Sequence, residues 1–427
     1  MNNLDSVLLK IGEKLSSLPN WNDLSEFIVN FHLSWQELGN LVQQELIQAR
    51  IEELESKYDF PRTKKEKSYY TPLGEITLKR RVYQTDNGLS AKVDQELRFP
   101  QDKWLPIVLE LACALGVSSE FPNSHQLFQK WTLNNLTEKT VANQVEKSGN
   151  ILQNQEFNLY KESNNYQSNK SIESDKAIDL LYIGVDGVMT PLNKKQGYKE
   201  AKVGVIFWNK DHQKIKGQRG KVRQREYIAT LKSRHDFRNR VSSLTCQMTT
   251  AKTATKTVVI GDGAHWIWEM AQEQFPNSIE ILDFFHLSEY IWAVAKAAYP
   301  YQEQKQKSWV DIQQQLLKKS QWKTVIDNGN KLKRNKKDLI DAIINLERYL
   351  TNNKNRIDYQ SYLKSGLMIG SGVVESSNRR VVTQRLKQAG MHWSIFGAEG
   401  VMALRAAYLS DSNRWSDFWS KKSIIES

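Results

Sequence analysis

Two kinds of hydrophobic spacing divide the chain. In its first third, apolar residues recur at helical intervals. Leu24, Phe27, Ile28, Phe31, Leu33 and Trp35 are followed by Leu38, Val42, Leu46, Ile51 and Leu54, with charges between them. This predicts one or two amphipathic helices within 1–57, packed on a core or on a second copy. Trp104–Leu115 repeats the spacing, and shorter helices are expected over Ser124–Trp131 and around Leu136–Val145. Those last two read either as a helix-turn-helix, with Thr137 capping the second helix, or as an ordinary helical hairpin. Tyr69–Tyr83 breaks the rhythm with two strand-like pieces around Pro72-Leu73-Gly74-Glu75, a small hairpin carrying Lys79-Arg80-Arg81. Its cations suit either a phosphate backbone or the protection of an exposed strand edge.

Residues 149–177 are rich in Asn, Gln, Ser and Lys and nearly free of apolar periodicity. They predict a linker, placed at 151–177, and hence a domain boundary after a mainly helical region 1–150. Beyond it the spacing changes to that of strands. Ile178–Val188, Ala201–Trp208 and Glu226–Leu231 are expected to meander antiparallel. A helix near Asp236–Thr249 follows, then strand Thr257–Ile260, helix Ala264–Phe275, strand Ile279–Leu282 and helix Leu287–Ala298. Three strands followed by alternating helices and strands predict an α/β core, a mixed sheet with flanking helices, over 178–299. Residues 300–365 return to helical spacing and read as an all-α insertion. Residues 366–427 then bring a last helix on which Glu375, Asn378, Val382 and Arg385 share one face.

Composition narrows the function. The 427 residues carry a formal net charge of +12, which favours a polyanionic partner, nucleic acid before anionic membrane. The two cysteines, Cys113 and Cys246, can build neither a disulfide framework nor a cysteine-based zinc site. With no membrane-span or signal-peptide pattern, a cytoplasmic location is expected.

The chemistry-bearing pattern is a trio of acids. Asp186 follows Ile183-Gly184-Val185, Asp262 follows Val259-Ile260-Gly261, and Glu375 follows Gly370-Ser371-Gly372-Val373-Val374. Oxygen ligands of this kind suit Mg²⁺ or Mn²⁺, and a pair of such ions can drive phosphodiester chemistry. On this reading Asp186 bridges both ions, Asp262 and Glu375 complete the cage, and the glycine after each aspartate leaves room for a phosphate. An Asp-Gly turn after a strand is common by itself; two such turns, each after a buried run, are not.

These motifs, together with Gly263-Ala264-His265-Trp266-Ile267-Trp268 and Leu282-Asp283-Phe284-Phe285-His286, resemble DDE transposases of bacterial insertion sequences, the group neighbouring the Mutator-like elements. The resemblance covers roughly Ile178–Trp415. It implies a ribonuclease-H-like core interrupted by a helical insertion, with Asp186, Asp262 and Glu375 as the catalytic, metal-binding triad. Asp283 and His286 match a second signature of the wider group and take a supporting role. Bottom-up, Asp283 caps the next helix and His286 meets either Asp283 or a phosphate. Relatives nearby often carry a Cys-rich knuckle after the hairpin; Tyr83–Gly88 has no cysteine.

Basic residues surround this core. Lys210, Lys214, Lys216, Arg219, Lys221, Arg223 and Arg225 cluster between the second and third strands, and Arg379, Arg380, Arg385 and Lys387 follow Glu375. They are either a solvated surface or the binding face for double-stranded DNA, with Arg385 the best single phosphate contact. Trp266, Trp268 and Trp393 are expected in the core, the alternative being that one of them stacks on an unpaired base. The expected function is a transposase that uses Mg²⁺ to cleave the ends of its element in a prokaryotic nucleoid, then joins the 3′-hydroxyl to target DNA. Region 1–150 would recognise the ends and pair copies into a homo-oligomer. The rivals are a nuclease of the same fold without strand transfer and a DNA-binding protein with a dead core.

Overall fold

The computed structural model describes residues 9, 11–13, 16, 23–57, 63–85, 88–163, 179–213, 221–249, 255–332, 336–370 and 372–425. The chain forms two compact units: Met1–Leu152 with Asn413–Ser427, and Gln153–Ser412.

In the first unit, α1 (Leu24–Ser56) starts at Asp23, whose side chain accepts from Glu26 N at 2.8 Å. It lies on a hairpin of β1 (Lys64–Thr71) and β2 (Gly74–Arg81). Ile51 and Leu54 of α1 pack with Tyr69, Ile76 and Leu78. The free edge of β2 is met by side chains of α1 rather than by another strand. Asn40 donates to Glu75 O, Gln44 accepts from Thr77 N, Gln48 both donates to Lys79 O and accepts from Lys79 N, and Glu55 accepts from Arg81 N. Near-regular four-residue spacing on the helix matches the two-residue spacing of outward backbone groups on the strand, so the edge is satisfied.

The hairpin's cations are paired within the fold. Arg80 is buried against Asp94, Arg81 meets Glu55 at 3.4 Å and Lys79 meets Glu66 at 3.3 Å. Next come α2 (Pro106–Ser118), α3 (Phe121–Thr132) and α4 (Glu138–Ser163). Thr137 does cap α4, accepting from Thr140 N at 3.2 Å. The α3–α4 pair departs from two short helices, because α4 continues through the stretch expected as linker. Its Leu152 and Gln153 are buried, and only 164–177 of that stretch lies outside the described residues. The last helix also departs from the expected plan: α14 (Arg414–Ile425) belongs to the first unit, where Trp415 Nε1 donates to Glu110 at 2.8 Å.

The second unit is built on one five-stranded mixed sheet. Its strands are β3 (Asp179–Pro191), β4 (Tyr198–Trp208), β5 (Glu226–Thr230), β6 (Thr255–Gly261) and β7 (Ile279–Leu282), in the spatial order β7-β6-β3-β4-β5. β3, β4 and β5 pair antiparallel, whereas β6 and β7 run parallel to β3. The chain first grows the sheet to one side of β3 and then crosses to the other. Helices α5 (Arg234–Thr249), α6 (His265–Gln274) and α7 (Phe284–Ala298) connect or follow these strands.

The insertion contributes α8 (Glu303–Lys318), α9 (Trp322–Asn330), α10 (Lys337–Asn352) and α11 (Tyr359–Lys364). It is fastened to the ends of β6 and β7 by tyrosine hydroxyls. Tyr349 donates to Asp262 O at 2.5 Å, Tyr359 to Leu282 O at 2.9 Å and Tyr362 to Glu280 O at 3.3 Å. Then α12 (Gly372–Asn378), a π-helical turn over Arg379–Thr383 and α13 (Ile395–Leu409) complete the unit.

Candidate active site

One rung of the sheet sets the site. Gly261 of β6 is in register with Val185 of β3 on one side and Leu282 of β7 on the other. The next residue in each strand is an aspartate: Asp186, Asp262 and Asp283. Three neighbouring parallel strands thus bring three carboxylates level with one another at the carboxyl ends of β6 and β7, beside the strand where the order of growth reverses. Open α/β sheets bind ligands at such a place. β3 does not stop there, as the Asp-Gly turn suggests. Asp186 remains paired with Val203 of β4 and the strand runs on to Pro191, so Asp186 sits where only one of its two neighbours continues.

Each carboxylate is held differently. Asp186 is 6% exposed; Oδ1 accepts from Gly187 N at 2.7 Å, and Oδ2 accepts from Asn378 Nδ2. Asp262 Oδ1 accepts from Ala264 N at 2.9 Å, just ahead of α6. Asp283 caps α7 through Oδ1, accepting from Phe285 N at 2.9 Å, while Oδ2 meets His286 Nδ1 at 2.9 Å. His286 Nε2 then lies 3.8 Å from Asp186 Oδ2, so the imidazole spans the two aspartates.

The protonation of the cluster follows. Burial pushes Asp186 up to about 6, against the pull of His286 and the Gly187 hydrogen bond; Asp262 and Asp283 add to the rise. The hydrogen bond to Asp283 pushes His286 up to about 9, helped by the charges of Asp283, Asp186 and Asp262 and opposed by burial.

Glu375 reaches this region on α12. A side chain at Gly184 would collide with Val374, so the glycine lets α12 lie directly on β3. Asn378, three residues after Glu375, contacts Asp186. Glu375 itself is exposed, and its side chain makes no hydrogen bond or ion pair with the other described residues. The space beside the two Asp-Gly glycines is occupied by protein rather than open to a phosphate. A Cβ at Gly187 would meet Glu200, and one at Gly263 (φ +91°) would meet Leu282 and Tyr349 at 3.0 Å.

Among the described residues, no three His, Cys, Asp or Glu side chains close on a common point that would enclose a cation. The donor chemistry nevertheless fits a hard divalent ion. Asp186 and Asp262 supply oxygen, and the Oδ1 of Asn378 is buried without a hydrogen-bond partner among the described residues. The Asn378 contact was signalled in the sequence only by its spacing from Glu375; nothing there signalled Tyr349.

A family model matches residues 19–423, that of an uncharacterised protein family designated UPF0236. The chain belongs to the UPF0236 family. No curated protein matches it.

The basic residues of this UPF0236 chain divide into two groups. Arg379, Lys387 and Arg223 are exposed. Arg225 is partly covered, 3.6 Å from Asp411 and over the Tyr227 ring. Lys210 pairs with Asp179 at 3.2 Å, while Lys214, Lys216 and Arg219 lie outside the described residues. Arg385 corrects the expectation of a phosphate contact. It is 1% exposed, with its guanidinium 5.0 Å from the centre of the Trp393 ring. The π turn adds a residue to the repeat after Asn378, so α-helical spacing no longer carries Arg385 onto the Glu375 face. Trp266, Trp268 and Trp393 are buried as expected. Among the described residues, no helix is long and apolar enough to cross a membrane.

Proposed function

We propose that this chain is a DNA transposase whose second unit is a ribonuclease-H-like core. The observation that carries the reading is the shared rung that sets Asp262 and Asp283, just past the ends of β6 and β7, level with Asp186 within β3. The sheet order, with three antiparallel strands and two added parallel on the other side, suits that core. The family is commonly associated with transposase-like proteins, which supports the same reading.

Asp186, Asp262 and Glu375 would hold Mg²⁺ or Mn²⁺, with Glu375 brought in by a movement of its exposed side chain. Bound there, a pair of such ions supplies an activated oxygen nucleophile and stabilises the leaving oxygen of a phosphodiester. Asp283 orients His286, and the imidazolium places a positive charge beside Asp186, where a scissile phosphate would lie. Exposed Arg379, Lys387 and Arg223 would meet phosphates of double-stranded DNA, at the element ends and at the target. Holding two ends requires a homo-oligomer.

The test is incubation with the element's terminal DNA, with and without Mg²⁺, followed by addition of pre-cut ends and a target plasmid. Strand-transfer products support a transposase. Cleavage without transfer reduces the reading to a nuclease, and end binding without cleavage reduces it to an inactive DNA-binding protein.

A further inference from the structure

Asn378 is an uncharged side chain bonded to the carboxylate of Asp186. It is the last residue of α12, and its Nδ2 donates to Asp186 Oδ2. An ionised carboxylate can only accept, so the amide must present its NH₂ group there. The other polar atom of the amide, Oδ1, is buried and without a hydrogen-bond partner among the described residues. Buried amide oxygens are almost always satisfied, so an unsatisfied one beside a buried acid marks a place for a bound group.

The backbone supports this placement. The π turn begins at the residue after Asn378, and turns of this kind are frequent at functional sites. Val374, seated at Gly184, holds α12 against β3 one turn before Asn378.

We propose that Asn378 Oδ1 is an oxygen ligand of the divalent cation held at Asp186, while its Nδ2 holds the Asp186 carboxylate in the orientation that receives the ion. Side-chain amide oxygens serve as ligands for hard cations. The inference rests on the metal reading above and adds a donor outside the three acids. It also answers a shortage, since Glu375 is exposed and Asp186 and Asp262 leave a cation short of protein oxygen.

The experiment measures Mn²⁺ binding to the full-length protein, without DNA, by calorimetry and by loss of the free-ion spin-resonance signal. Wild type, Asp186→Ala, Asn378→Ala and Asn378→Asp are compared, and the melting temperature of each without metal reports folding. Wild type is expected to bind and Asp186→Ala to lose binding. Asn378→Ala is expected to weaken binding about ten-fold or more. Asn378→Asp keeps an oxygen at the same reach and adds charge, so it is expected to bind at least as tightly as wild type. If Asn378→Ala does not fold, Asn378→Ser takes its place with the same expectation.

Binding by Asn378→Ala within about two-fold of wild type would overturn the proposal. So would Asn378→Asp being as weak as Asn378→Ala, because the NH₂ donor alone would then matter. If wild type takes up no Mn²⁺, or Asp186→Ala binds as well as wild type, the metal reading itself falls and the Asn378 proposal falls with it.

Discussion

His286 and Asp186 lie 3.8 Å apart, and each departs from its ordinary titration for a different reason. Burial holds the Asp186 carboxyl up near 6, while the Asp283 hydrogen bond holds the His286 imidazolium up near 9. Because the folded pKa of His286 exceeds its unfolded value of about 6.5, its contribution to stability is complete below that pH. The contribution is lost as pH rises towards 9. The ring protons of His286 should therefore titrate near pH 9 by NMR in the metal-free protein, and Asp283→Asn should move that midpoint down by at least about one unit. An unchanged midpoint in Asp283→Asn would remove Asp283 as the cause. Arg385 gives a second prediction. Arg385→Ala should cost about 1–3 kcal/mol of stability through lost packing against Trp393, with DNA affinity unchanged within about two-fold; thermal melts and a binding titration separate the two effects. The aspartates were legible in the sequence because each follows a short buried apolar run. The burial of Arg385 was not legible, because a single π turn leaves no mark in spacing yet alters every later direction on the helix.

Among the elements, the site depends on how closely α12 approaches β3 and on how firmly the insertion holds β6 and β7. Gly184→Val would drive a side chain into Val374 and lift α12 from the strand. It should abolish cleavage and cost about 1–3 kcal/mol, measured by denaturant unfolding alongside a nicking assay. Tyr349→Phe removes the hydroxyl that donates to the Asp262 carbonyl and should cost about 1 kcal/mol, with a larger loss of cleavage than of DNA binding. The core strands were legible to within a few residues, since strands buried on both faces read as continuous, largely apolar runs. The second half of α4 was not. From residue 149 to Ser163 its sequence is mostly polar, with apolar residues too sparse to show a period, although Leu152 and Gln153 are buried. The role of the insertion was also hidden, because it acts through hydroxyls on backbone carbonyls and those pairings have no spacing in the sequence.

For the whole molecule, the net charge of +12 is the property that reaches furthest from the site. If the partner is duplex DNA, affinity should fall steeply and linearly on a log–log plot against salt, and each phosphate-contacting cation removed should lower the slope by about 1. Arg379→Ala and Lys387→Ala are expected to do so, whereas Arg385→Ala is not. Division into two units was legible as a change from helical to strand spacing. The assignment of α14 to the first unit was not, because that contact joins residues some three hundred positions apart, such as Glu110 and Trp415. The central claim is that the neighbouring carboxylates of Asp186 and Asp262 run cation-dependent cleavage of DNA. Its most direct measurement maps nicks on the element's terminal DNA with wild type, Asp186→Asn and Asp262→Asn, with and without Mg²⁺. The account predicts Mg²⁺-dependent nicks at the element boundary with wild type alone, while all three proteins bind the ends equally. Full nicking by either variant, or by wild type in the presence of a chelator, would contradict it.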